Sequence, residues 1–468
     1  MASKSKRARM EPKQNFARVF MTWSLLTLSI KLIIIFNIPS QILASNPNFN
    51  LELDGKPDYL VDGIWFGADG ETYLRGFTAL ARDGVFSSEQ ILNYWPAGYP
   101  LIILILSIFG QNWVLTTLAI IQSMVFAWAA YFFAMQLLRT RLKNFAFIAF
   151  ILIIFNPTLS LSSITIGYES FTASGFLLSL AIIIKDLIEK DSTKFKKYLL
   201  FNSLLIGCLA FMQPRLIVAG VILNVIWILS RNALSVGSLL VALSLAITLF
   251  FPAALIYRNN KSVGLNTIST NLGITMNIGA GDGATGGYIK EGYGVPCQLS
   301  GDSVQQDSQR VNCVLKWYVN NPTKAAKLFF NKSIYFWSPW FGPAANGTMA
   351  RNPWLKISPL KNITSTQEGI NLVFGSAGKI ISWLWLLSGL ALMFYGFLVL
   401  WRQKSMERFI ALLALATITS NWMISLISIG DHRFRIPIMG LSLFLQAVGL
   451  RTLFKAGKPP MVDGPSLR

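Results

Sequence analysis

The sequence predicts an all-α polytopic membrane protein with about ten transmembrane helices, interfacial helices in the first outer loop and a small mixed extracytoplasmic segment. Three observations predict it. The 468-residue chain is 53% hydrophobic. Only 13% of its residues are charged, about half the ~25% of an ordinary soluble protein. The apolar residues also gather in blocks of about 15–27, and a bilayer-crossing helix needs about 20. A disordered chain, which needs low hydrophobicity, is excluded, and a large soluble enzyme is disfavoured.

Ten blocks read as spans, in chain order: Val19–Ile38, Trp113–Leu138, Phe145–Leu159, Phe171–Ile184, Tyr198–Met212, Leu216–Ser230, Val236–Tyr257, Ile380–Trp401, Phe409–Ile429 and Ile436–Leu450. The first follows six basic side chains in residues 1–18 and has no clear small-residue cleavage site after it, so it reads as an uncleaved span. The run Leu101–Phe109 is too short to cross and reads as an interfacial or re-entrant helix. Two long polar segments remain, 39–112 and 258–379. In the second, Arg310–Leu328 has helical character and the rest reads as turns and short strands.

Charge fixes the orientation. The chain carries 41 Lys and Arg against 21 Asp and Glu, a net +20. With ten spans the loops 139–144, 185–197 and 402–408 fall on one side, with Arg139, Arg141, Lys143, Lys185, Lys190, Lys194, Lys196, Lys197, Arg402, Lys404 and Arg408. That side is cytoplasmic by the positive-inside rule. The basic excess therefore belongs to loops and not to a nucleic-acid footprint. Both termini are cytoplasmic in this reading. The chain divides into a basic tail 1–18, a membrane module 19–257 with outer loop 39–112, an extracytoplasmic segment 258–379, C-terminal helices 380–450 and a cytoplasmic tail 451–468.

Cysteine and histidine chemistry is sparse. Cys208 lies in an apolar block; Cys297 and Cys313 share the polar segment 258–379 and are either bridged or free. With one histidine, His432, and no Cys-x-x-Cys, no metal site is expected. Gly279–Gly287 lacks the Gly-Lys-Ser/Thr of a phosphate-binding loop, so no nucleotide cofactor is expected.

Ionisable residues near an apolar zone are costly and point to function. Asp69, Glu71, Glu169, Arg215, Arg258, Arg433 and Arg435 all fall on the outer side, from separate regions of the chain. Each alone reads as a side chain reaching the interface; together, carboxylates and arginines read as a site assembled over a rigid bundle. Asp69 precedes an amphipathic stretch with Tyr73, Phe77, Leu80 and Ala81 on one face. A partly desolvated carboxylate there is disfavoured in its charged form, hence a stronger base, suited to taking a proton from an attacking acceptor. Asp69 also suits a helix N-cap. The aromatic run Tyr335, Phe336, Trp337, Trp340, Phe341 reads as an interfacial belt, with sugar stacking as the second reading.

Asp69-x-x-x-Tyr73, then Gly84, then Pro96-Ala97-Gly98-Tyr99-Pro100-Leu101 resembles the first outer loop of GT-C-type glycosyltransferases, nearest the protein O-mannosyltransferase and aminoarabinose-transferase-like branch. Asn156-Pro157 followed by Glu169, Gln213-Pro214-Arg215, Ile268–Gly273 with Gly286-Gly287-Tyr288, and His432-Arg433-Phe434-Arg435-Ile436-Pro437 resemble further motifs of that family, in order. The chain departs where many members have Asp-Glu, with Asp69-Gly70, and at Ala97, often a proline. The resemblance implies a sugar donor carried on a polyprenyl phosphate and an acceptor that is protein, lipid or glycan. It also implies inversion at the sugar carbon and a site on the outer face of what reads as a bacterial plasma membrane. Membrane lipids and no nucleic acid are the other partners expected. Asp69 would be the base and Glu169 its catalytic support. Arg433, Arg435 and Arg215 would hold the donor phosphate through paired donors, and Tyr73, Tyr99 and Glu71 would contact substrate. The rival readings are a lipid-linked-sugar flippase and a non-catalytic membrane assembly partner.

Overall fold

The computed structural model describes residues 12–37, 65–66, 70–110, 113–231, 237–287, 294–337, 376–403 and 406–454. It is an all-α, multi-pass membrane protein. Ten helices coincide with the ten blocks: α1 Pro12–Asn37, α5 Val114–Leu138, α6 Lys143–Ile154, α8 Glu169–Glu189, α9 Ser192–Met212, α10 Leu216–Ser230, α11 Ser238–Val263, α15 Ser376–Trp401, α16 Met406–Ile427 and α17 Ile436–Phe454. Between them lie α2 Gly70–Asp83, α3 Ile91–Tyr94, α4 Gly98–Leu106, α7 Pro157–Ser162, α12 Leu272–Ile278, α13 Ser303–Asn320 and α14 Pro322–Trp337.

Eight of the ten are long and apolar enough to cross a membrane; α6 and α10 are shorter. The difference at α6 has a local cause. The block Phe145–Leu159 is cut at Asn156-Pro157, because a proline disfavours helical geometry in the residue before it. A new helix starts there, with Asn156 Oδ1 accepting from Leu159 N at 3.1 Å. Where helices cross closely, glycine is required. A Cβ added at Gly396 of α15 would run into the Leu445 carbonyl of α17, and one at Gly449 into that of Leu392.

The two ends of the bundle differ. At one end the basic loops meet acidic helix termini: Arg139 Nη2 lies 3.6 Å and Lys194 Nζ 3.3 Å from the Glu189 carboxylate, and Arg231 Nη2 lies 2.6 Å from Asp186 Oδ2. Asp186 Oδ2 also accepts from Trp227 Nε1 at 3.0 Å. Asp191 caps α9, accepting from Thr193 N and Lys194 N. The 21 residues of α8 rise ~30 Å from this end, placing Glu169 at the opposite one.

That opposite end carries the inter-span segments. The short helices read from the first outer loop are present as α2, α3 and α4. The run read as interfacial, Leu101–Phe109, is the end of α4 continued by a 3-10 turn, Ser107–Phe109. In the segment 258–379 the described residues hold α12, α13 and α14 and no strand. The stretch read as having helical character, Arg310–Leu328, falls on two helices, because Asn321 ends α13 and Pro322 opens α14. Asp302 and Gln305 form a reciprocal cap at the start of α13. Of the two cysteine alternatives, the bridge is present: Cys297 and Cys313 are disulfide-linked.

Candidate functional site

Two short strands bring the first loop to the bundle. β1 Trp65–Phe66 pairs in parallel with β2 Thr165–Ile166, Trp65 opposite Thr165 and Phe66 opposite Ile166. Below them, Gln122 of α5 is a polar residue in an apolar helix. Its Nε2 donates to Thr165 O at 2.9 Å and Ser163 O at 3.3 Å. Tyr99 completes the knot, donating its hydroxyl to Gln122 Oε1 at 3.0 Å and accepting from Gly167 N at 2.8 Å. The Tyr73 ring packs edge-on against Tyr99 at 5.0 Å and near Tyr168 at 6.3 Å. Tyr73 and Tyr99, expected to contact substrate, are thus buried in the packing beneath the turn that leads into Glu169. Asp69 lies outside the described residues, as does the Glu71 side chain; Phe66 of β1 and Gly70 of α2 flank Asp69 in the chain.

Glu169 opens α8 and is only 2% exposed. Arg433 Nε lies 3.9 Å from its Oε1. The arginine comes from a 3-10 turn, His432–Arg435, whose start is fixed by Asp431, its side chain accepting from Arg433 N at 2.7 Å. Asn421 of α16 holds the turn's far side, donating to Phe434 O at 2.7 Å. Arg215, between α9 and α10, lays its guanidinium over the Phe434 ring, 3.5 Å from the centroid. Glu169, Arg215 and Arg433, far apart in sequence, are thereby brought together. Arg435 leaves the turn in another direction, and its Nη1 donates to Phe336 O at 3.3 Å.

Arg258, read from sequence as a charge above the bundle, has a structural task. It donates to Val85 O at 3.0 Å, Leu92 O at 3.2 Å, Asn93 Oδ1 at 3.0 Å, Asn259 Oδ1 at 2.8 Å and Ser87 O. It clamps the 85–93 turn, and its charge is spent on carbonyl and amide oxygens.

The functional signal lies in polar atoms that are buried and have no hydrogen-bond partner among the described residues. They include Thr158 Oγ1, Ser170 Oγ, Arg215 Nε and Nη2, Trp422 Nε1 and His432 Nε2; the Tyr168 hydroxyl beside them is within reach of the Gln213 side chain. Buried polar groups are nearly always satisfied; five residues at this end of the bundle depart from that rule, as do Ser24, Ser179, Asp186, Asn202 and Arg451 elsewhere, so the orphan donors gain their meaning here from lying beside Glu169 and Arg433. Sequence reasoning missed Tyr168 and Trp422. The signal that could have found them is position: Tyr168 precedes Glu169, and Trp422 lies one residue from Asn421 on α16. Arg215 is close enough to feel the charges of Arg433, Glu169 and Asp431. Among the described residues no group of three His, Cys, Asp or Glu is placed to hold a metal ion.

Fold and site together define an integral multi-pass helical protein with a buried, donor-rich cationic centre at one end of its bundle. No family model matches the chain, and no curated protein does. It is similar to solved structures of the Archaeoglobus fulgidus oligosaccharyltransferase. In complex with Zn and sulfate that protein is 13% identical at a TM-score of 0.47, over 93% of this chain and 49% of the other. In the apo form it is 14% identical at 0.47, over 93% and 51%. The archaeal oligosaccharyltransferase AglB from the same organism, in complex with an inhibitory peptide and a dolichol-phosphate, is 14% identical at 0.46, over 96% and 53%. The chain spans about half the length of the solved structures it matches.

Proposed function

We propose that the protein is a GT-C-type glycosyltransferase that moves a sugar from a polyprenyl-phosphate donor to an acceptor on the extracytoplasmic side. One observation carries the reading: Arg215 presents two buried donors, Nε and Nη2, with no hydrogen-bond partner among the described residues, in the same cluster as Arg433 and Glu169. Guanidinium donors held ready in a water-poor site suit a phosphate. Charge supports that side: this cluster lies at the end opposite the basic loops.

In the reaction an acceptor hydroxyl or amine attacks the anomeric carbon from the face away from the phosphate, and the bond from that carbon to the phosphate oxygen breaks. The polyprenyl phosphate leaves with the bonding electrons. The acceptor's proton passes to the Asp69 carboxylate, and the sugar carbon inverts. Negative charge grows on the leaving phosphate, so Arg215 and Arg433 bind it more tightly in the transition state than in the ground state, which is what accelerates a reaction. Glu169, 3.9 Å from Arg433 Nε, orients that guanidinium. Arg435, expected from sequence to hold the phosphate, instead donates to Phe336 O at 3.3 Å and holds the turn. Phe434, under Arg215, supplies an apolar floor.

The test uses purified full-length protein, a polyprenyl-phosphate-hexose donor and mass spectrometry of the polyprenyl phosphate released. Asp69→Asn should fold and lose transfer by ~10²–10⁴-fold, the range for a general base. Full transfer by that variant would remove Asp69 from the role.

A further inference from the structure

The turn that carries Arg433 follows the C-terminus of α16, where helix carbonyls lack partners within the helix. Those carbonyls are met by a side chain from helix α14. Lys332 is fully buried at 0% exposure. Its Nζ donates to Leu426 O at 3.0 Å, Ser428 O at 2.6 Å and Tyr318 OH at 2.8 Å. Tyr318, on α13, donates that hydroxyl in turn to Ile427 O at 3.1 Å. Three successive residues at the helix end, Leu426, Ile427 and Ser428, are thus bound by one lysine and one tyrosine. A cation belongs at a helix C-terminus electrostatically.

The next residues are held just as closely. Gly430 N donates to Gly286 O at 2.9 Å. A Cβ on Gly430 would come within 2.7 Å of Lys332 Cα, so the turn lies directly on the α14 backbone. Asp431 then caps Arg433, and Arg435 returns to α14 at Phe336, one turn beyond Lys332. No carboxylate is among the partners of Lys332. A buried lysine is costly, and a lysine with three oxygen acceptors supplies what an apolar residue of similar size cannot, a fixed position for the chain that follows.

We propose that Lys332 is a positioning residue: by fastening the end of α16 to α14 it sets the Ser428–Arg435 turn, and with it the place of the Arg433 guanidinium in the donor-phosphate site. The proposal rests on the reading of Arg433 given above.

The test is binding of geranylgeranyl monophosphate to the purified full-length protein, followed by tryptophan fluorescence. The proteins compared are wild type, Lys332→Met, Tyr318→Phe, Arg433→Gln and the Lys332→Met/Arg433→Gln double variant. Loss of well-placed charge-assisted bonds corresponds to about tenfold weaker binding in Lys332→Met. Tyr318→Phe keeps both lysine–carbonyl bonds and should weaken binding only a few-fold. It also decides the matter if Lys332→Met does not fold. Because Lys332 acts through Arg433, the double variant should bind no more weakly than Arg433→Gln alone. A merely structural lysine would instead give additive losses, and that result overturns the proposal. So does wild-type binding by Lys332→Met, or by Tyr318→Phe if Lys332→Met does not fold, while Arg433→Gln is impaired. Wild-type binding by Arg433→Gln would overturn the donor-phosphate reading itself, a different failure.

Discussion

Arg215→Met separates a ligand-binding arginine from a packing one, because the two roles predict opposite signs. The substitution replaces a guanidinium by an apolar chain of comparable reach. It gives up the contact with Phe434 at 3.5 Å, a cation–π interaction of ~0.5–2 kcal/mol. It also removes two buried donors without partners among the described residues, each costing ~1–3 kcal/mol while unsatisfied. The second effect is the larger, so the ligand-free protein should become more stable by roughly 2 kcal/mol. Phosphate binding should move the other way: one lost charge-assisted bond of ~1.5–3 kcal/mol weakens it by about tenfold or more. The assays are melting temperature in detergent and titration with a polyprenyl monophosphate. A lower melting temperature with unchanged binding would refute the reasoning, since it would make Arg215 a strut.

Other perturbations give distinct outcomes. Asp186→Ala strands the buried Trp227 Nε1 and removes the counter-ion of Arg231; it should destabilise the fold by ~3–5 kcal/mol and leave phosphate affinity unchanged once folded, as measured by denaturation and titration. Backbone N–H groups of Lys194 and Thr193 hold the Asp191 carboxyl below its ordinary value of 3.8. The folded state therefore binds that proton less readily than the unfolded one, and the cap's contribution is present above pH ~4 and lost as pH falls further. Asp191→Ala should remove that part of the acid sensitivity, seen as a smaller difference from wild type in melting temperature at low pH than at neutral pH. Gly396→Leu should drive α15 away from α17 at the Leu445 carbonyl and lower the melting temperature, whereas Gly84→Ala, with open space around it, should cost only the strain of its positive φ.

The spans were legible because the bilayer imposes one rule on every segment, and blocks such as Val236–Tyr257 and Ile436–Leu450 meet it without help from tertiary contacts. Boundaries were less so. Asn156-Pro157 splits a block that hydropathy joins, and Asn321-Pro322 separates two helices within the stretch Arg310–Leu328, whose helical character was legible but not its break. Of the site, Glu169, Arg215 and Arg433 were legible as charges out of place beside apolar helices. Arg258 met the same criterion and has another role, because its acceptors are mostly backbone carbonyls some 170 residues away, and carbonyls leave no mark on sequence. Lys332 escaped notice for the converse reason. It sits in a polar, lysine-bearing helix beside Lys324 and Lys327, and only the fold buries it while leaving those two exposed. The order of Arg433 and Arg435 was visible, but the 3-10 turn that sends one to Glu169 and the other to Phe336 depends on Asp431 and Asn421.

The most direct test of the central claim is made in cells and does not require knowing the sugar. Mass spectrometry of membrane lipids should compare cells carrying wild-type protein, no protein, and Asp69→Asn. If the protein consumes a polyprenyl-phosphate-linked sugar, one such lipid accumulates in the second and third cells and not in the first. An unchanged set of polyprenyl-phosphate sugars in all three would contradict the account.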